Sequence, residues 1–120
     1  MNIVKIDDTL TVSGQISPSD VAQIAAMGFK KILCARPDFE EFGQPKFSEI
    51  KAVANEKGLE AIFAPVTMPA LPSIEQIAEL AKAVETADGP VFGYCKSGRR
   101  AAVVWQLANE HLKTSRTAAA

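Results

Sequence analysis

Histidine occurs once in this chain, at position 111, and cysteine twice, at 34 and 95. Two cysteines are too few for a disulfide framework and fit a reducing compartment. With one imidazole and no CxxC spacing, the usual four-ligand zinc site has no donor set, so neither a metal nor a cofactor is expected. Neither sign of charge dominates: 13 basic residues face 14 acidic ones. That balance gives no reason to expect a nucleic acid or a membrane as partner. Long apolar runs are missing too, and none approaches the roughly 20 residues needed to span a bilayer. Two aspartates in MNIVKIDDTL interrupt the stretch a signal peptide would need, so a cytoplasmic location is expected. Repeats and linkers are absent, and the only low-complexity stretch is the terminal TSRTAAA, expected to fray over 113–120.

What is there has the make-up of one ordinary α/β domain, spanning 1–112. The chain's 120 residues are 48% hydrophobic, and a domain of this size buries roughly two-thirds of its unfolded surface without staples. Residues 3–6 and 10–12 read as two short strands. Ser17 is placed as an N-cap, with Pro18 at the first helical position and Asp20 at the third. Val21, Ile24, Ala25 and Met27 give that helix its apolar face, and Gly28 ends it. KKILCA (30–35) is a buried strand, followed by the polar loop RPDFEEFGQP. A second helix covers 46–57, and EAIFA (60–64) is the next strand. After the loop PVTMPALP, Ser73 caps a third helix and Gln76 closes a capping box. Its stripe is Ile74, Ile77, Leu80, Ala81 and Val84, a helical spacing. GPVFGYC is a further strand, and from Arg99 a helix runs to His111 or Leu112. Strands alternating with amphipathic helices imply right-handed crossovers and a mostly parallel sheet flanked by helices. Ligands of such sheets bind beyond the carboxyl ends of the strands. Both cysteines fall there.

The chemistry concentrates in VFGYCKSGRR (91–100). Lys96, Arg99 and Arg100 put three positive charges within five residues of Cys95. The loop amides and the first turn of the following helix point unpaired N–H groups into the concavity they form. Together they favour an anion, and they favour Cys95 as a solvent-reachable thiolate. Gly98 fits a tight loop whose backbone approaches a ligand closely. Gly93 and Gly98 mimic a nucleotide phosphate loop, but Arg99 and Arg100 stand where Lys and Ser/Thr are required, which excludes it. A thiolate beside an anion cradle suits attack on phosphorus or on the sulfur of an anionic donor.

Other residues carry weaker signals. Cys34 is either a packed small hydrophobe or a second thiol able to resolve an oxidised or persulfidated Cys95. Arg36 either lines the cleft or is exposed. Asp38, Glu40 and Glu41 are the nearest carboxylates in the preceding loop, and solvated surface charge is their usual role. His111 lies about 16 Å along the helix from Arg100 at 1.5 Å per residue, too far to act as base for Cys95. Trp105 is core or partner surface.

Three segments, LTVSGQISPSDVAQIAAMGFKKILCARPD, FAPVTMP and YCKSGRRAAVVWQLA, give the chain a resemblance to the beta-lactamase hydrolase-like phosphatase-like domain. The resemblance covers residues 2–112. It implies the tyrosine/dual-specificity phosphatase fold, with Cys95 as nucleophile, Arg100 as the anion-gripping arginine, and Lys96, Ser97, Gly98 and Arg99 as the cradle between them. Some members are described as sulfur transferases. The chain departs from phosphatases of this fold in four ways. Four residues rather than five separate Cys95 from Arg100, a rhodanese-like loop length. Ala101 and Ala102 follow the arginine where phosphatases carry a hydroxyl. Tyr94 replaces the usual histidine. The loop 65–72 contains no Asp or Glu to act as general acid, a group worth 10²- to 10⁴-fold in protonating a leaving group.

Three functions follow in order of expectation: a sulfurtransferase forming a Cys95 persulfide, a phosphatase forming a Cys95 phosphocysteine, and a non-catalytic anion- or phosphoprotein-binding module. The substrate is accordingly a small anion, a thiol or persulfide, or a phosphoester. By resemblance, a sulfur-metabolism enzyme is the expected partner. The oligomeric state has no signature in the sequence.

Overall fold

The computed structural model describes residues 1–67 and 72–119, without the side chains of 115–119. In chain order these form β1 (Val4–Lys5), β2 (Leu10–Ser13), α1 (Asp20–Ala26), β3 (Lys31–Cys34), α2 (Phe47–Glu56), β4 (Glu60–Phe63), α3 (Ile74–Glu85), β5 (Val91–Tyr94) and α4 (Arg99–Ala119). The strands make one sheet in the order β1-β2-β5-β3-β4. β1 pairs antiparallel with β2, and every other pairing is parallel. This is the α/β architecture with a mostly parallel sheet that the sequence pattern implies.

Every residue of β3 and β5 is buried, as continuous apolar runs must be when both faces of a sheet are covered. Successive side chains then part to opposite faces. Ile32, Cys34, Phe92 and Tyr94 pack with Val21 and Ile24 of α1 and Ile50 and Ala54 of α2. Leu33, Val91 and Cys95 pack with Leu80 and Ala81 of α3 and with Ala101, Val104 and Trp105 of α4. The two cysteines therefore lie in different core clusters although their strands are neighbours.

Local details depart from the sequence pattern at four places. Ser17 does not cap α1. It opens a turn through Pro18 in which its N–H donates to Asp20 Oδ2 (2.9 Å) and its carbonyl accepts from Asp20 N (3.0 Å), so the helix starts at Asp20. Met27 and Ile74, assigned to apolar faces, are 41% and 75% exposed, because each stands at a helix end beyond the sheet's cover. α4 continues to Ala119 instead of stopping near Leu112. No glycine or proline interrupts Lys113 to Ala119, and each added residue gains a helical hydrogen bond. The capping box on α3 is present, with Gln76 N donating to Ser73 Oγ (3.1 Å) and Ser73 N to Gln76 Oε1 (2.9 Å).

α4 is tied to the N-terminal hairpin by Trp105, whose Nε1 donates to Asp7 Oδ2 (2.8 Å). Asp7 Oδ1 accepts the N–H groups of Thr9 and Leu10 at 2.8 and 2.7 Å and closes the turn into β2. Burial raises the Asp7 carboxyl, but these hydrogen bonds outweigh it and hold the group below its ordinary range. Among the described residues no helix is long and apolar enough to cross a membrane.

Candidate active site

The site is built where β2, β5, β3 and β4 release their chains. Because these strands are parallel and adjacent, their carboxyl ends lie in a row, stitched by backbone hydrogen bonds. Cys95 N donates to Ser13 O (3.4 Å), Ala35 N to Tyr94 O (2.9 Å) and Val66 N to Ala35 O (3.1 Å). The loop 95–98 lies hard against β2. A Cβ on Gly14 would stand 2.8 Å from Lys96 O, and Gly98 sits at φ +89° with its missing Cβ 3.2 Å from Val12 Cγ2. A side chain is thus excluded at Gly14 by space, and at Gly98 it is strained by the positive φ, with tight contacts besides.

The Gly98 N–H donates to Cys95 Sγ at 3.0 Å. The Arg100 guanidinium, raised above its ordinary value chiefly by Glu40, also interacts electrostatically with Cys95, which helps raise it. An aimed main-chain donor and a cation are the partners a thiolate requires. Cys95 is, however, 0% exposed, where the sequence suggested a solvent-reachable thiol. The register of β5 turns its side chain into the core cluster with Ala101, Val104 and Trp105, and Arg100 is itself held by an acidic loop.

Arg100 forks Glu40, with Nη1 to Oε2 at 2.7 Å and Nη2 to Oε1 at 2.8 Å, while Nη1 also donates to Val66 O at 2.9 Å. Arg36, 2% exposed, donates from Nε to the same Glu40 Oε1 (2.8 Å) and from Nη1 to Gln15 Oε1 (2.9 Å). Glu41 pairs with Lys96 at 2.6 Å. Arg36, Glu40, Glu41, Thr67, Lys96 and Arg100 line an open cavity of about 430 Å³. The Arg100 hydrogen bond, working against burial and aided by Arg36, holds the Glu40 carboxyl down at about 2. Lys96 lowers Glu41 likewise.

These contacts correct several expectations. Glu40 and Glu41 are exposed, as surface charge is, but they are also partners of the cradle's cations, and of the two readings of Arg36 the structure shows the wall of the cavity. Asp38 accepts the Phe47 N–H at 2.8 Å and serves the start of α2. Arg99 turns away from the cavity into a groove with Ile6, Asp7 and Trp105. Its N–H donates to Ser97 Oγ at 3.4 Å, which shapes the loop. Cys34 donates its thiol to Arg36 O at 3.2 Å. Burial pushes that thiol up, which opposes the thiolate a resolving cysteine needs. Thr67 and the Val66 carbonyl were not anticipated. Only the pairing of β3 with both β4 and β5 shows that their exit loops meet, and one sequence does not state strand order.

A mostly parallel sheet with helices on both faces and a cysteine loop entering a helix gives a phosphatase-like domain of the tyrosine/dual-specificity phosphatase fold. Its structure superposes on a candidate phosphatase from Neisseria meningitidis with a TM-score of 0.76 and 35% identity, covering 88% of this chain and 74% of that one. A candidate phosphatase from Shewanella putrefaciens gives 0.74 at 16% identity, covering 95% and 69%, a likeness of fold alone. More particularly, residues 2–111 match the phosphatase-like domain of beta-lactamase hydrolase-like proteins, and the chain belongs to that family. A beta-lactamase hydrolase-like protein of Agrobacterium fabrum is 40% identical over 107 residues, 89% of this chain and 25% of that protein. The chain thus spans about a quarter of the length of such relatives.

Proposed function

We propose that this domain is a sulfane-sulfur transferase in which Cys95 is the nucleophile. The observation that carries the reading is the state of the carboxylates around the cysteine. Glu40 is held ionised near 2, Glu41 is paired with Lys96, and Asp38 faces α2. The loop 65–72, where this fold carries an acid, contains no Asp or Glu. A reaction that needs a proton donor is poorly served here, and one that does not is well served.

In the proposed step an anionic donor such as thiosulfate displaces Glu40 from Arg100, uncovering the Cys95 sulfur that is buried in the resting fold. The Cys95 thiolate then attacks the donor's outer sulfur. A new S–S bond forms to Cys95, the donor's S–S bond breaks, and sulfite leaves with the electron pair and needs no proton. Arg100 and the Gly98 N–H hold the donor and the charge on sulfur. A thiol or a partner sulfur-metabolism enzyme then removes the persulfide.

The second reading is a phosphatase acting through a Cys95 phosphocysteine, favoured by the neighbours that carry that name. One pair of assays separates the two. After incubation with thiosulfate, mass spectrometry of the Cys95 peptide is expected to show one added sulfur atom, with no phosphate released from an aryl phosphate in parallel. Phosphate release without sulfur loading would overturn the proposal in favour of the second reading.

A further inference from the structure

We infer that the anion site is a clamp of two guanidiniums, Arg36 and Arg100, and that Glu40 is an internal anion occupying it until a substrate anion takes its place. The inference rests on the cavity beside Cys95 being the donor's binding site, and it is independent of which reaction follows.

Arg36 comes from the exit of β3, outside the cysteine loop that supplies Arg100. The two guanidiniums nevertheless converge on one carboxylate, and Glu40 Oε1 accepts from both Arg36 Nε and Arg100 Nη2, each at 2.8 Å. A buried guanidinium is costly unless paired, and Arg36 is 2% exposed. Its Nη2 is buried without a hydrogen bond. The ion pair of that atom with Glu41 Oε1, at 3.5 Å, is longer than a good hydrogen bond. A buried donor without a hydrogen bond, on an arginine that lines the cavity, points to a further acceptor oxygen that reaches it once Glu40 gives way. A ligand with two or more oxygens on one anionic centre, a carboxylate or an oxyanion, supplies it while replacing Glu40 between the arginines.

The loop that carries Glu40 is shaped to hold it there. Gln44 Oε1 accepts the N–H groups of Glu40 and Glu41 at 3.1 and 3.3 Å, and its Nε2 donates to Pro37 O at 2.9 Å. Phe39 adopts φ +65°, a strained conformation for a bulky residue. Its ring and that of Phe42 are 80% and 108% exposed. The two carboxylates are thus held against the cradle's cations while the aromatic residues stay outside, at a backbone cost that withdrawal of Glu40 can release.

The test is calorimetric binding of thiosulfate, with inorganic sulfate as a second probe, to the whole chain. Replacing Glu40→Gln removes the competitor's charge and keeps the loop's size. It is expected to tighten both anions about tenfold, as loss of an internal competing state should. Adding Arg36→Lys to Glu40→Gln is expected to erase that gain, because an ammonium cannot fork two oxygens. Unchanged or weaker binding in Glu40→Gln overturns the inference, as does a double variant that stays folded by circular dichroism and keeps the gain. Tightened binding of both anions with no sulfur loaded on Cys95 would leave the clamp standing and remove the sulfurtransferase reading.

Discussion

At the scale of single residues the site depends on two positions that hardly look chemical. Gly98 combines a positive φ with contact against β2, so Gly98→Ala is expected to destabilise the fold by more than about 1 kcal/mol and to move the amide away from Cys95 Sγ. Urea unfolding and thiosulfate binding read the two effects, and an alanine variant of full stability would contradict the reading. Glu40 gives a pH signature. Its carboxyl is held near 2 in the fold against an ordinary value of 4.5. A depressed folded value means that its contribution to stability is complete above about 4.5 and is lost as pH falls toward 2. Thermal unfolding across that window is therefore expected to decline less steeply in Glu40→Gln than in the parent chain. Parallel acid limbs would show that the pair with Arg100 and Arg36 contributes nothing.

The cysteine loop was legible at this scale because its chemistry is contiguous. Cys95, Gly98 and Arg100 lie within six residues, and a strand before and a helix after fix where their groups point. Arg36 and Glu40 were not, because their significance comes from a pairing of β3 with β5 that leaves no mark in the intervening sequence. Arg99 shows the converse: placed beside Arg100 in the chain, it faces the other way, since neighbours on a helix are turned about 100° apart.

Among the elements, α4 matters most. It begins at the cysteine loop, and Trp105 anchors it to the β1–β2 turn through Asp7. Replacing Trp105→Phe removes a hydrogen bond to a carboxylate and is expected to cost about 2 kcal/mol. Because the folded Asp7 carboxyl lies below its ordinary 3.8, the parent's advantage should be present above that pH and shrink as pH falls through the folded value. Equal stability of parent and variant at pH 7 in urea would contradict the assignment. Helix and strand identities followed from periodicity throughout. The errors sit at element ends, at Ser17, Met27, Ile74 and the extension of α4, where tertiary cover rather than local pattern decides.

For the whole molecule, sheet order is what turns a resemblance into a site. The parallel arrangement β2-β5-β3-β4 gathers four exit loops on one edge and separates the cysteines onto opposite faces. Cys34, whose thiol donates to the Arg36 carbonyl and is pushed up by burial, is expected to react with iodoacetamide only as fast as the fold opens. Alkylation of Cys34 faster than global unfolding would restore it as a partner for Cys95.

Sulfite released in a single turnover tests the central claim most directly. Mixed with excess thiosulfate and no acceptor, the wild-type chain is predicted to release one sulfite per molecule as sulfur moves to Cys95, and Cys95→Ser to release none. Equal sulfite from both proteins, or none from either, would contradict the account.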